Sequence, residues 1–491
     1  MTQQAVTVEI TPEFRKVRRR AILSAWAGFL MDGYSIYITT TVLLPALTYF
    51  QGQHMSASNQ SVFAGLTLAS TLVGRPLGGM IFGHLADRVS RRRIGTITIL
   101  GFGTMSLLIA CLPGAGLVGT GTAITLLLLC RFIEGIFLGG EYTAATPLAV
   151  EYAPANRRGY AASLIQCAAA LGPTLVAALM TLVLLIAPES GPNSPYIMWG
   201  WRIPFLIGFV LSVLVAWFIR RKIDDSETWK ASAAARAAAR KKTRSPLLGL
   251  LKGSPRRAFL QAFALMTGIF FLSNISGSVG PQFLLKNHGF TAGALAHVSL
   301  IIGIPAAAAY VFSGWLSDYI GRKRAFYIAG ITSLIVVPAS MTAIGSGDVP
   351  YFWVLTLLVL ANNICLGLLF GLLPSYVLER FSTAMRSSGW GVAYGTSVII
   401  PAFFSYYMVW LGHIMPFLWT AGLLCIVGVV IVLIATATGP ETRGVDLNTV
   451  DSDTRLDAVQ TVPAQAGPVQ PDTVQAAPVQ AAPVQTDSVQ P

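Results

Sequence analysis

The sequence predicts an all-α membrane protein, with twelve transmembrane helices in two pseudo-symmetric six-helix bundles. Three observations carry that expectation. The 491 residues are 54% apolar and only 11% charged, where soluble domains carry roughly 25% charged residues. The stretch Gly83-His84-Leu85-Ala86-Asp87-Arg88-Val89-Ser90-Arg91-Arg92-Arg93 returns 231 residues later as Gly314-Trp315-Leu316-Ser317-Asp318-Tyr319-Ile320-Gly321-Arg322-Lys323-Arg324. A second pair of sites repeats at nearly the same interval: Glu151 precedes Arg158 by seven residues, and 228 residues further on Glu379 precedes Arg386 by the same step. Half-chains with the same devices at the same places are internal repeats.

The elements follow in order. Residues 1–20 form a polar, then basic, N-terminus ending in Arg15, Lys16, Arg18, Arg19 and Arg20. No small-residue cleavage site follows a short apolar core, so the first apolar run is read as a retained helix. Runs of roughly 20 apolar residues cross a bilayer, and twelve occur: 22–48, 62–85, 94–112, 122–149, 160–186, 202–220, 258–284, 293–316, 325–345, 352–377, 389–411 and 416–438. They divide into an N-terminal bundle at 21–219 and a C-terminal bundle at 258–438, joined by a basic segment at 220–257 whose Ala/Arg-rich part suits an amphipathic helix on the membrane surface. Each duplicated loop lies between two runs as a short hairpin. Beyond Gly439-Pro440-Glu441-Thr442-Arg443-Gly444 the apolar pattern stops, and the Pro-Val-Gln repeats within 439–491 read as a disordered tail.

Charge placement sets the topology. The net charge of +13 sits almost wholly in alternate short loops and the 220–257 segment, which places those loops and both termini in the cytoplasm. That distribution argues against a nucleic-acid partner and for a multi-pass membrane protein, with the plasma (bacterial inner) membrane as the expected location. Cys111, Cys130, Cys167, Cys365 and Cys425 are scattered singly, which supports neither a disulfide framework nor a metal site. No hydrolase motif, phosphate-cradling glycine loop or redox pair is present, so neither an enzyme nor a cofactor is expected.

Ionisable groups at bilayer depth cost about 2.5–3.5 kcal/mol each on the lenient insertion scale, so each requires a reason. Five are expected there: Asp32 in the first helix, Arg75 in the second, and Arg131, Glu134 and Glu141 in the fourth. All belong to the N-terminal half. At ~100° per residue, Glu134 and Glu141 fall within ~20° of each other, with Arg131 on a neighbouring stripe. A carboxyl that alternates between a cation and an apolar surround can load and release a proton, which makes Asp32, Arg131, Glu134 and Glu141 candidates for proton coupling. Arg75 lies too deep to snorkel and needs an anion, either a solute carboxylate held in a bidentate fork or an internal acid such as Asp32. Polar and aromatic candidates for a solute site are Tyr34, Tyr37, Gln166, Asn274, Gln282, Asn362, Asn363, Tyr376, Trp390 and Tyr394.

At these residues a resemblance emerges. The duplicated Gly-x-Leu-x-Asp loop resembles the signature of the major facilitator superfamily. Gly74-Arg75-Pro76-Leu77-Gly78-Gly79, Gly139-Gly140-Glu141-Tyr142, Glu151-Tyr152-Ala153-Pro154 with Arg157-Arg158-Gly159, and Gly200-Trp201-Arg202-Ile203-Pro204-Phe205 resemble its metabolite:proton symporter family; sugar and sialate porters are next nearest. The resemblance implies two bundles rocking about a central site, working as a monomer and importing a small carboxylate or zwitterion together with H⁺. It implies that Arg75 meets a substrate carboxylate and that Asp32, Arg131 and Glu141 serve coupling. It further implies a gate built from Gly83, Asp87, Arg88, Arg91, Glu151 and Arg158, repeated in Gly314, Asp318, Arg322, Glu379 and Arg386. Where the family pattern has a second acid in the first helix, this chain has Ser35. Gly172-Pro173 resembles part of a drug-antiporter element, so proton-driven efflux is the alternative direction.

Overall fold

A computed structural model of the chain describes residues 12–51, 57–88, 91–141, 150, 153–191, 193–222, 254–381 and 386–445. Within them lie twelve long helices. In the first half these are α1 (Pro12–Ile38), α2 (Ala57–Arg88), α3 (Arg91–Ala110), α4 (Thr120–Glu141), α5 (Arg158–Gln166 continued by Ala168–Ile186) and α6 (Arg202–Lys222). In the second they are α7 (Ser254–Asn287), α8 (Ala292–Ile320), α9 (Arg322–Ser346), α10 (Phe352–Leu378), α11 (Arg386–Ser397, Ile399–Ala402 and Phe404–Leu411) and α12 (Phe417–Thr438). Ten are long and apolar enough to cross a membrane on composition alone. The remaining two, α1 and α2, carry Asp32 and Arg75, the charges on which the site is built.

Local chemistry explains several boundaries. Pro12, with φ fixed and no N–H to lose, suits a helix start, so α1 begins ten residues before the apolar run and takes in Arg15 to Arg20. Its far end loosens into a π-turn at Thr39–Leu43. The α8 N-terminus is capped by Thr291, whose Oγ1 accepts from Ala294 N at 3.2 Å. Between α8 and α9, Gly321 sits at φ +96°, backbone that a side chain rarely adopts, and this is what turns the second loop motif.

The helices pack as a duplicated set. In the first half α2 lies on α4, α3 on α6 and α1 on α5; in the second α8 lies on α10, α9 on α12 and α7 on α11. The halves meet along two seams, α5 against α8 and α2 against α11, which exchange when the halves are exchanged. Trp199, Tyr351, Trp353, Trp410 and Trp419 are exposed beside the loops poor in basic residues, forming the aromatic girdle of a membrane–water boundary.

Several expectations fall outside the described residues, and one needs adjustment. The surface helix expected within 220–257 and the end of the 122–149 run, from residue 142, lie outside the described residues. Glu151 also lies outside them. The segment read as the start of a tail at 439 is instead held against helix ends as far as Val445, with Thr442 fully buried.

Candidate functional site

A central cavity between the bundles has two chambers that share Tyr37, Ala169, Ser273, Gly277, Tyr310 and Phe370. The wider, about 120 Å³, reaches toward the end poor in basic loops, past Pro45 on the α1 side and Leu284 on α7. The smaller, about 70 Å³, holds the charge: Asp32 and Arg75 line it, faced by Gln166 of α5, Asn274 of α7 and Tyr394 of α11. Asn362 and Asn363 of α10 line the wider chamber.

The anion opposite Arg75 is Asp32. Arg75 Nη2 donates to Asp32 Oδ1 at 2.7 Å, with both side chains almost wholly buried. Close helix approaches place them there. On α2, Gly74 and Gly78 interlock with Gly135 and Gly139 of α4: a Cβ on Gly78 would land on the Ile136 carbonyl oxygen, and one on Gly139 on the carbonyl of Arg75. Such small-residue pairs let backbones touch. On α1, Gly33 crosses Gly172 of α5, where a Cβ on Gly172 would stand 2.5 Å from the backbone nitrogen of Tyr34. The glycine of Gly172-Pro173 is thereby explained by packing beside Asp32.

The three charges of α4 divide into two arrangements. Arg131 Nη1 donates to Glu134 Oε2 at 2.7 Å, and Arg131 Nη2 reaches the Ser35 carbonyl at 3.3 Å. Ser35 Oγ closes the group by donating to Glu134 Oε1. All of it is buried and none lines a chamber. Glu141, on the same face of α4, is separate. Both its carboxyl oxygens are buried without a hydrogen-bond partner among the described residues, in a space that exists because position 28 is glycine, since a Cβ there would overlap Glu141 Oε1. It is close enough to feel the charges of Asp32 and Arg75.

Three aromatic candidates fall elsewhere. Tyr34 packs in the N-terminal bundle and donates to Pro204 O at 2.5 Å, because its ring points away from the α1 face that carries Asp32 and Tyr37. Trp390 is fully buried against Tyr394 at 5.3 Å between centroids and lines neither chamber. Tyr376 accepts from Gln261 Nε2 at 2.8 Å and donates to Pro440 O at 3.2 Å. Gln282 borders a separate small pocket.

The second loop motif is braced at the basic end. Asp318 takes two backbone donors at the start of α5, Gly159 N and Tyr160 N, each at 2.9 Å, so a carboxylate of one bundle sits on a helix N-terminus of the other. Arg322 holds it, donating to Asp318 Oδ1 at 2.7 Å and to Glu379 Oε1 at 3.2 Å. Burial pushes the Glu379 carboxyl up, and the adjacent Arg322 guanidinium opposes that shift. Gly314 makes room, since a Cβ there would overlap Ser163 Oγ and the Gly159 carbonyl. Glu379 pairs with Arg322, and Arg386 donates from Nε to the Leu378 carbonyl at the end of α10, 3.1 Å away. Residues after α12 complete the latch. Glu441 accepts from Arg322 N and Lys323 N at 2.8 and 3.1 Å, Thr442 Oγ1 donates to Glu379 at 2.6 Å, and Arg158 Nη1 reaches Val445 O at 2.6 Å. Sequence reasoning missed this segment, whose signal was the polar run Glu441-Thr442-Arg443 directly after a span. Gly83 is buried on α2; the side chains of Asp87, Arg88 and Arg91 lie outside those described.

Two exchangeable seams, a cavity between pseudo-symmetric bundles and a brace from the second loop to the start of α5 are those of a multi-pass membrane transporter for small molecules, not an enzyme. The comparisons place it further: the chain belongs to the Major Facilitator Superfamily, whose family profile matches residues 25–405. Among curated proteins it is similar to the shikimate transporter of Escherichia coli (strain K12), 30% identical over 386 residues covering 78% of this chain and 85% of the relative. It is also similar to the alpha-ketoglutarate permease of that organism, 29% identical with 81% and 88% covered, and to its proline/betaine transporter, 27% identical with 84% and 80% covered. Among solved structures, the proton:xylose symporter XylE bound to 6-bromo-6-deoxy-D-glucose shares the fold, with a TM-score of 0.69, 20% identity, and coverage of 91% of this chain and 99% of that one.

Proposed function

We propose that the protein imports a small carboxylate or zwitterionic metabolite together with a proton, as a monomer in the bacterial inner membrane. The observation that carries this is the buried Arg75–Asp32 pair at 2.7 Å on the wall of the central cavity. With Asp32 ionised, the pair satisfies itself. A proton on Asp32 removes its charge and frees the guanidinium fork for the carboxylate of a solute. Proton and anion then enter the site together, and its net charge is the same before and after. Glu141, behind the pair and lacking a donor, is a second station for the proton, while the closed Arg131–Glu134–Ser35 group fixes α4 to α1.

The latch of Asp318 on the α5 N-terminus is the gate at the cytoplasmic end. Breaking it lets the bundles rock apart there and release solute and proton inward. The similarity to transporters named for shikimate, alpha-ketoglutarate and proline/betaine supports a carboxylate-bearing cargo. Packing of Gly172 on Gly33 accounts for that glycine without an exporter's motif, which favours import. The test is uptake into proteoliposomes under an inward proton gradient: accumulation that follows the gradient and reverses with its sign is expected, and accumulation indifferent to it refutes the coupling.

A further inference from the structure

The chambers have one cation between them. Among the described residues lining either, Arg75 is the single Lys, Arg or His. Four of the described lining residues carry a polar atom that is buried without a partner: Gln166 Oε1 and Asn274 Nδ2 beside the smaller chamber, Ser276 Oγ and Asn362 Oδ1 beside the wider. Gln166 and Asn362 are each 1% exposed. A buried polar atom that bonds to nothing costs free energy until a partner arrives, and these four include both donors and acceptors, two from each chamber.

We infer that the solute is a singly charged, hydroxyl-bearing carboxylate, which rests on the carboxylate role proposed for Arg75. Its anionic end takes Arg75, and hydroxyls on an uncharged body take Gln166, Asn274, Ser276 and Asn362. A dicarboxylate would bury its second charge in the wider chamber with no cation to meet it. An apolar acid would cover the four polar atoms and leave them unpaired, the circumstance in which sites built for hydroxyls discriminate most strongly. A betaine would need an anion, and Asp32, the one acid among the described residues on these walls, is neutral once it carries the coupled proton.

The experiment measures binding to the purified full-length chain in nanodiscs by calorimetry, at one fixed pH and without a gradient. The probes are D-gluconate and quinate as hydroxylated monoanions, hexanoate and cyclohexanecarboxylate as their deoxy counterparts, D-glucarate as a hydroxylated dianion, and glycine betaine. At least one hydroxylated monoanion should bind tenfold or more tighter than its deoxy counterpart, D-glucarate and betaine. Equal or tighter binding of a deoxy acid, D-glucarate or betaine overturns the inference, and so does silence toward every hydroxylated monoanion. Gln166→Leu should shrink the ratio of hydroxylated to deoxy affinity by about tenfold, and Ser276→Ala, a gentler change, should shrink it in the same sense; unchanged ratios in both overturn the inference. Because binding at one pH needs no gradient, failure of proton coupling and failure of this cargo class give separate results.

Discussion

Replacing Asp32 by Asn removes one charge and little else, so its consequences can be worked through. Opposite charges ~4 Å apart between centres attract by about 4 kcal/mol at an effective dielectric near 20. Asparagine keeps an acceptor for Arg75 but removes the Asp32 counter-charge, so a loss of about 2–3 kcal/mol in stability is expected. The functional effect is larger. If each carboxylate enters with the proton that Asp32 binds, wild-type affinity falls about tenfold per pH unit above the coupling range, because one pH unit is worth about 1.36 kcal/mol. A gradient of one unit then sustains roughly tenfold accumulation at equilibrium. In Asp32→Asn the guanidinium is available at every pH, so the affinity slope should fall from one to zero and accumulation to unity, while solute exchange without a gradient persists. Calorimetry over a pH series and uptake in proteoliposomes read both quantities. A variant that still accumulates tenfold, or that keeps its slope, refutes the assignment of the proton to Asp32; if Glu141→Gln then abolishes both, the proton resides there.

Arg75→Lys should weaken carboxylate binding by a factor of ten or more with little change in expression, since an ammonium cannot form the planar fork; unchanged affinity in calorimetry removes the bidentate role. Gly28→Ala pushes a Cβ onto the Glu141 carboxyl and should cost about 1–3 kcal/mol, with most of that cost absent in a Glu141→Ala background; equal thermal destabilisation in both backgrounds rules out the contact. Asp318→Asn should weaken closure of the basic end by about 1–2 kcal/mol, read as a 5- to 30-fold rise in labelling of a cysteine placed inside it; labelling at the wild-type rate dismisses Asp318 as a latch.

The bundles were legible because their signal is redundant: apolar length, alternate basic loops and a repeated motif all report the same twelve helices. The charged residues of the site were legible for a similar reason, since a buried charge has few excuses. Position on a helix did not reveal partners, however. Glu134 and Glu141 share a face of α4, yet one meets Ser35 and Arg131 while the other meets the gap at Gly28, and that difference is written on α1. Likewise Tyr34, Tyr376 and Trp390 look like cavity aromatics in sequence. Which way an aromatic points depends on helix rotation, and hydropathy does not encode it because these rings suit a core as well as a cavity. The Glu441–Thr442 clamp was hidden because its partners, Arg322 and Glu379, come from distant elements.

Comparing the halves position by position explains where the charge went. The 228-residue step that takes Glu151 to Glu379 takes Glu134 to Asn362 and Arg131 to Val359. Glu134 and Asn362 are each served by a serine of the neighbouring helix, although the two serines are not at equivalent positions: Ser106 on α3 serves Glu134, and Ser340 on α9 accepts from Asn362 Nδ2 at 3.3 Å. In the first half the pair is sealed and charged; in the second, Asn362 and Val359 are neutral and line the wider chamber. An amide keeps the hydrogen bond and needs no arginine, so this wall could be opened to solute without leaving a bare charge. Asn362→Asp tests this directly, being nearly isosteric but adding an anion with no cation on the chamber wall. It should destabilise the protein by several kcal/mol at neutral pH and depress carboxylate binding, and both effects should fade on acidification as the new carboxyl takes up a proton. A variant as stable as wild type across the pH range, binding the carboxylate equally well, would show that neutrality at this position is incidental.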